Sequence, residues 1–286
     1  MENGMTKEGL ILEGGAMRGM FTAGVLDVLM EHGITLDGAV GVSAGAAFGC
    51  NFKSGQIGRT IRYNMRFCND KRYCSLRSLL RTGNLFNADF CYRIVPELLD
   101  LFDAKAFAEN PMEFYVVATD IEMGRAVYKR MRKVEGKDYE WFRASASLPV
   151  LAKPVEIDGH KYLDGGITDS IPLRFFESIG YERNLVILTR PADYRKKKSG
   201  GGGLMRLALG KYPKTLEALH RRHEDYNRTL DYIAKREAEG AVLVIQPEQT
   251  LVIDRLERDP EKLKAVYEVG RKICEKNLTR IRDFLR

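Results

Sequence analysis

The chain has 286 residues, 44% of them hydrophobic, and carries 46 Lys and Arg against 39 Asp and Glu for a formal net charge of +7. It is long enough to bury a sizeable core in one large or two small domains, and no apolar run approaches the ~20 residues of a membrane span. The basic balance raises nucleic-acid binding, yet no helix-turn-helix, zinc or RNA-binding signature accompanies it, so no nucleic-acid partner is expected. The opening Met1-Glu2-Asn3-Gly4-Met5 lacks the apolar core of a signal peptide, which predicts a cytoplasmic protein. Cys50, Cys68, Cys74, Cys91 and Cys274 are odd in number and form no C-x-x-C pair, so they read as reduced thiols with no metal site.

From the N-terminus, Gly9-Leu10-Ile11-Leu12-Glu13 is a buried-strand pattern that runs into the turn Gly14-Gly15-Ala16, followed by Arg18, Gly19 and an apolar helix through Val25, Leu26, Leu29 and Met30. Backbone N–H groups in such a turn are unshielded by large side chains and suit a developing negative charge. Phosphate-binding loops share the strand–glycine–helix form, but a P-loop needs Lys then Ser or Thr after its last glycine, where this chain has Met20 and Phe21. A dinucleotide fingerprint fails at Ala16, which stands where the second glycine belongs. No cofactor is expected.

A second strand-like run, Ala39–Val42, enters Gly41-Val42-Ser43-Ala44-Gly45, the G-x-S-x-G form of a nucleophile elbow: Gly41 and Gly45 permit a strained strand-to-helix turn that pushes the serine hydroxyl outward. The next stretch, Lys53 through Asn110, has the character of a substrate cap. Between Lys53 and Arg81 it gathers Lys53, Arg59, Arg62, Arg66, Lys71, Arg72, Arg77 and Arg81 against the single acid Asp70. The pattern fits either a solvated helical face or a collar for anionic phosphate headgroups. Further strand-like runs fall at Phe114–Ala118, Ala126–Tyr128, Lys153–Ile157, Leu185–Leu188 and Ala241–Ile245, interleaved with helical patterns. This alternation predicts an α/β fold with a mainly parallel sheet.

A serine nucleophile needs a base, and none of the four histidines is well placed. His32 ends the first helix, and His160 sits in the turn Asp158-Gly159-His160. His223 lies on the stripe Tyr212, Leu216, Leu219, Tyr226, Leu230 and Ile233, and His220 lies off it. Asp164, in Tyr162-Leu163-Asp164-Gly165-Gly166, is the better candidate. A carboxylate at a strand end followed by two glycines can approach another turn closely and accept the serine proton, although the local sequence alone fits a plain Asp-Gly turn as well.

Glu13-Gly14-Gly15-Ala16-Met17-Arg18-Gly19, then Gly41-Val42-Ser43-Ala44-Gly45, then Asp164-Gly165-Gly166, resembles in this order the bacterial patatin-like phospholipases. The resemblance covers roughly residues 8–190 and implies a three-layer α/β/α fold. It also implies a Ser–Asp dyad with Ser43 as nucleophile and Asp164 as base, and an oxyanion hole from Gly14, Gly15, Ala16 and Arg18, supported by Gly19, Gly41, Gly45, Gly165 and Gly166. Ala16 departs from the family's third glycine, and if that position needs positive φ its methyl costs about 1 kcal/mol or more. The expected organisation is a catalytic domain over 8–190, with its cap at about 53–110, and a helical extension over 191–286 carrying one strand at 241–245. The expected activity is hydrolysis of carboxylic esters of lipids through an acyl-enzyme. An acyltransferase using the same elbow, or a basic nucleic-acid or membrane-surface binding protein, stands as the alternative. Arg195-Lys196-Lys197-Lys198, before a glycine run to Gly203, is a second basic element able to touch an anionic bilayer.

Overall fold

Buried apolar runs too short for helices set the middle of the molecule. In chain order the elements are β1 (Lys7–Leu12), α1 (Gly19–Glu31), β2 (Gly38–Val42), α2 (Ala44–Lys53), α3 (Arg59–Phe67), α4 (Leu76–Thr82), a π-helical segment Phe90–Leu99 containing Pro96, and α5 (Ala104–Glu109). They continue with β3 (Glu113–Asp120), β4 (Arg125–Arg130), α6 (Tyr139–Ser145), β5 (Val155–Ile157), β6 (His160–Asp164), α7 (Leu173–Ser178) and β7 (Tyr181–Ile187). After these come α8 (Gly202–Leu209), α9 (Pro213–Ala238), β8 (Val242–Ile245) and α10 (Pro260–Phe284). The computed structural model describes residues 6–198 and 202–286, so the expectations for the first five residues and for Gly200 and Gly201 of the glycine run lie outside the described residues, while Gly202 and Gly203 open α8.

The strands form one sheet in the order β5-β6-β3-β2-β1-β7-β8, with β4 paired to β3 off this path. The β3-β2-β1-β7-β8 portion is parallel, while β4, β6 and β5 join antiparallel. Strand alternation sorts the two faces. Leu10, Leu12, Phe114, Val116, Leu185 and Ile187 pack toward α1, α2, α6 and α10, whereas Ile11, Val40, Val42, Val117, Val186 and Val244 pack toward α7 and α9. Helices on both faces of a mostly parallel sheet make the three-layer α/β/α arrangement, and the need to bury both faces explains why its strands read as continuous apolar runs.

β8 joins the sheet directly beside β7. α10 crosses α1 at a pair of glycines: a Cβ built on Gly24 would stand 2.1 Å from Tyr267 O, and one on Gly270 2.1 Å from Phe21 O. Only two glycines let these backbones approach so closely. The stripe on α9 is buried as its spacing predicts, with Tyr226, Leu230 and Ile233 on the α7 side of the sheet and Tyr212, Leu216 and Leu219 around Leu209, Ile121, Leu163 and Ile167. Among the described residues no helix is long and apolar enough to cross a membrane.

Candidate active site

Register decides what meets at the sheet's C-terminal edge. Val42 of β2 pairs with Val117 of β3, and Ala118 of β3 pairs with Asp164 of β6. Ser43 and Asp164 therefore flank the same position of β3, two strands apart, at a backbone separation of roughly 9–10 Å from the usual strand spacing. Inward-pointing side chains span that gap. Parallel sheets present their sites at this edge because strand ends open into turns there.

Ser43 occupies the turn between β2 and α2 with φ 56° and ψ −122°, a conformation few side-chain-bearing residues adopt. Its carbonyl accepts from Ala46 and Ala47 N–H, which starts α2, and its own N–H donates to Ser145 Oγ at 2.8 Å. Ser145 is fully buried at the end of α6.

Asp164 is 2% exposed. Its N–H donates to Ser147 O at 2.9 Å, its carbonyl accepts from Thr119 Oγ1 at 2.9 Å, and its Oδ1 accepts from Gly166 N–H at 2.8 Å. Oδ2 is buried with no partner at hydrogen-bonding geometry, while the Ser43 side chain lies close enough to act on the carboxylate as a donor. Burial pushes the Asp164 carboxyl above its ordinary range, against the opposing pull of the Ser43 hydroxyl, Arg222, the Gly166 N–H and Lys196.

The Gly14-Gly15-Ala16 turn faces the elbow, and a Cβ on Gly14 would lie 3.0 Å from Val42 O and 3.2 Å from Ser43 Cβ. Among the described residues the N–H groups of Gly14, Gly15 and Ala16 have no acceptor. Ala16 takes φ 49°, so the position does need the left-handed conformation and bears the methyl's cost. Glu13, just before the turn, is 2% exposed and saturated: Oε2 accepts from Thr189 N–H at 2.6 Å and Thr189 Oγ1 at 2.9 Å, and Oε1 from Tyr226 OH at 2.6 Å. It ties the ends of β1 and β7 to α9.

Ser43 lies where two cavities meet. One, of about 120 Å³, is apolar, walled by Met17, Phe48, Tyr73, Phe86, Tyr92 and Leu151, with much of its lining drawn from the segment between α3 and α5. The other, of about 60 Å³, is polar and holds Glu13, Asp164 and five cations, Arg18, Arg190, Lys196, Arg222 and Arg255. None of the four histidines lines either cavity.

Of the eight cations between Lys53 and Arg81, five are engaged within the protein, while Lys71, Arg77 and Arg81 are exposed. Lys53 is buried and donates to Asn110 O and Met112 O, both at 2.6 Å. Arg59 and Arg62 both pair with the buried Asp100, Arg66 donates to Leu99 O, and Arg72 pairs with Asp70. These cations fasten α3 and its neighbours internally, through acceptors up to 59 residues away in sequence. Of the second basic element, Arg195 pairs with Asp231, Lys197 and Lys198 are exposed, and Lys196 turns into the polar cavity.

Comparison with known proteins follows the same division of the chain. The model of the patatin-like phospholipases matches residues 10–176, more than half of the sequence. The chain belongs to the patatin-like phospholipase family. A second family, a domain of unknown function designated DUF6363, matches residues 212–286. Similar proteins include the uncharacterized protein YjjU of Escherichia coli, 32% identical over 203 residues that make up 64% of this chain and 52% of YjjU. Another is lysophospholipase nte1 of Emericella nidulans, 30% identical over 183 residues, or 60% of this chain and 11% of that protein. The matched region thus spans about half of YjjU and a small part of nte1. Among solved structures, VipD from Legionella pneumophila aligns with 96% of this chain and 67% of its own at 13% identity and a TM-score of 0.46, too distant to add to the argument.

Sequence reasoning missed Ser145, Glu13, Arg222 and Arg255. Glu13 left a signal, a lone carboxylate closing an otherwise apolar strand run; the others left none, because the contacts that give them meaning span 102 residues for Ser145 and 56 for Arg222.

Proposed function

We propose that the chain is a serine acyl hydrolase that cleaves carboxylic esters of lipids through Ser43 and Asp164. One observation carries the reading: a serine on a strained strand-to-helix turn stands across one β-strand position from a buried carboxylate whose Oδ2 has no partner. Asp164 Oδ2 takes the Ser43 proton as Oγ attacks the ester carbonyl. The unpartnered N–H groups of Gly14, Gly15 and Ala16 receive the oxyanion, with Arg18 behind them. Collapse breaks the ester C–O bond, and the leaving alkoxide takes the proton from Asp164. Water then attacks the acyl-enzyme, Asp164 accepts its proton, and Ser43 recovers that proton as the acid departs. Burial suits Asp164 to this role, since a raised pKa makes a carboxylate a better proton acceptor.

In this reading the apolar cavity holds the acyl chain, and the segment over about 53–110 is its cap. Residues 191–286 form an extension that completes the catalytic unit, because Lys196, Arg222 and Arg255 line the cavity at Asp164. Labelling by a serine-directed fluorophosphonate tests the reading before any natural substrate is in hand. Wild-type protein should label; Ser43→Ala should not, and Asp164→Asn should label at least about a hundredfold more slowly. Labelling that survives Ser43→Ala refutes the assignment.

A further inference from the structure

The polar cavity carries more charge than the chemistry of a Ser–Asp pair requires. Four arginines and Lys196 converge on it against two carboxylates, which leaves two to three positive charges in excess according to the protonation of Lys196. Neither carboxylate closes an ion pair with them: Glu13 is held by Thr189 and Tyr226, and Asp164 is the proposed base. Among the described residues none of the five forms an ion pair with an acid. Arg18 Nε is buried without a partner, and Arg222 donates to a backbone carbonyl, Gly166 O. Lys196 Nζ stands 4.3 Å from the centre of the Tyr226 ring, its backbone clamped by Asn227, whose side chain accepts from Lys196 N–H at 2.8 Å and donates to Lys196 O at 3.1 Å. Burial, with Arg222, Arg18 and Arg255 adding repulsion, brings the Lys196 ammonium down to about 7. Like charges held together without counter-charges mark a site built for an anion.

The two cavities share Ala16, Ser43, Leu148 and Arg255. An ester carbonyl at Ser43 with its acyl chain in the apolar cavity must send its alcohol portion into the polar one. We infer that the polar cavity seats a phosphate monoester borne on the alcohol side of the scissile ester, so that the preferred substrates are acyl glycerol phosphates and not esters with a choline headgroup. This rests on the hydrolase reading above. Three points favour the monoester: a dianion best offsets the charge excess, arginine forks match phosphate oxygens in pairs, and a quaternary ammonium would enter as one more cation among five. Lys196, Arg222 and Arg255 all lie C-terminal to residue 176, where the patatin match ends, so the selecting residues come from outside the family's catalytic segment.

The test separates recognition from turnover. Calorimetric titration of the Ser43→Ala chain with 1-acyl glycerol 3-phosphate, with the choline ester of the same acyl chain and with inorganic phosphate reads the cavity without catalysis. Wild-type kcat/KM for the same two lipids and for the neutral monoacylglycerol reads it with catalysis. The expected result is a preference of about tenfold or more for the phosphate monoester in both measurements, reduced at least about fivefold by Arg255→Gln, a rim residue exposed enough to be replaced without disturbing the fold, and likewise by Lys196→Gln. Equal binding and turnover of phosphate, choline and neutral esters overturns the inference while leaving the hydrolase reading intact. Inorganic phosphate binding as tightly as the acylated phosphate also overturns it and makes the cavity a free-phosphate site. Arg255-dependent binding of the acyl phosphate without hydrolysis of any ester supports the cavity's role and refutes the hydrolase reading instead.

Discussion

Ser145 offers the sharpest test of how the elbow is held. Its hydroxyl is fully buried and accepts the Ser43 N–H at 2.8 Å, and Ser43 itself sits at φ 56° and ψ −122°. Ser145→Ala removes the acceptor and leaves a backbone donor without a partner, a loss of about 1–3 kcal/mol. For a chain this size about 2 kcal/mol lowers the melting temperature by roughly 5 °C. The catalytic effect should be larger. A residue kept in a sparsely populated conformation at a cost of about 1–3 kcal/mol relaxes when its restraint goes, and a shift near 1 Å in a nucleophile costs about a hundredfold. Differential scanning fluorimetry and the rate of fluorophosphonate labelling, measured on the same samples, separate the two effects. Ser147→Ala is the comparison: its hydroxyl donates to Arg143 O at 2.7 Å within its own helix end and has no bond to Ser43, so labelling should slow far less. Should Ser145→Ala label within twofold of wild type, the turn is held by its backbone alone and the argument from Ser145 fails.

Ala16→Gly should raise stability by about 0.5–1 kcal/mol in urea unfolding, since relief of the left-handed methyl strain exceeds the added chain entropy of glycine; a loss of stability would show that φ 49° is not strained here. Asp169, whose Oδ2 accepts from Tyr128 OH at 2.8 Å, is raised by burial from 3.8 to about 6. The folded state therefore binds more protons than the unfolded between these values, and stability is lost as pH rises through 6. Asp169→Asn should remove a penalty of about 3 kcal/mol at pH 8 and change little at pH 3.5, as read by chemical denaturation at the two pH values. For an anionic ester the acid limb of kcat should lie at higher pH than that of kcat/KM, whereas a neutral ester should show no such split, and coincident limbs for both would break the link between cavity and base.

Much of this architecture was legible locally. Strands buried on both faces announce themselves as apolar runs, and Ser43 and Asp164 each close such a run beside glycines, so the sheet edge and its two candidate residues follow from short windows. Charge was not legible in the same way. Arg59 looks like a surface cation until Asp100, 41 residues on, takes it into the interior, with Arg62 closing over the same carboxylate from the surface. Lys196 sits in a run of four basic residues, three of which point away from the site; Asn227, 31 residues on, turns this one inward. Spacing along a helix or strand encodes which face is buried, but the partner of a long polar side chain is fixed by chain topology, which no local window contains.

The placement of the proposed dyad at the border of the two cavities ties recognition to base strength. Burial raises the proton affinity of Asp164, and Arg222 and Lys196, both in the polar cavity, lower it. A phosphate seated among the cations cancels part of their potential at Asp164, so the opposing pull weakens when the site is filled and burial dominates more fully. The carboxylate is then a stronger base with substrate bound than without it, at the step where it must take the Ser43 proton. A neutral ester leaves the cations uncompensated and meets a weaker base. On this argument the same charges that select the alcohol portion also set the pKa of the group that attacks beside it, and the preference should appear in kcat as well as in KM.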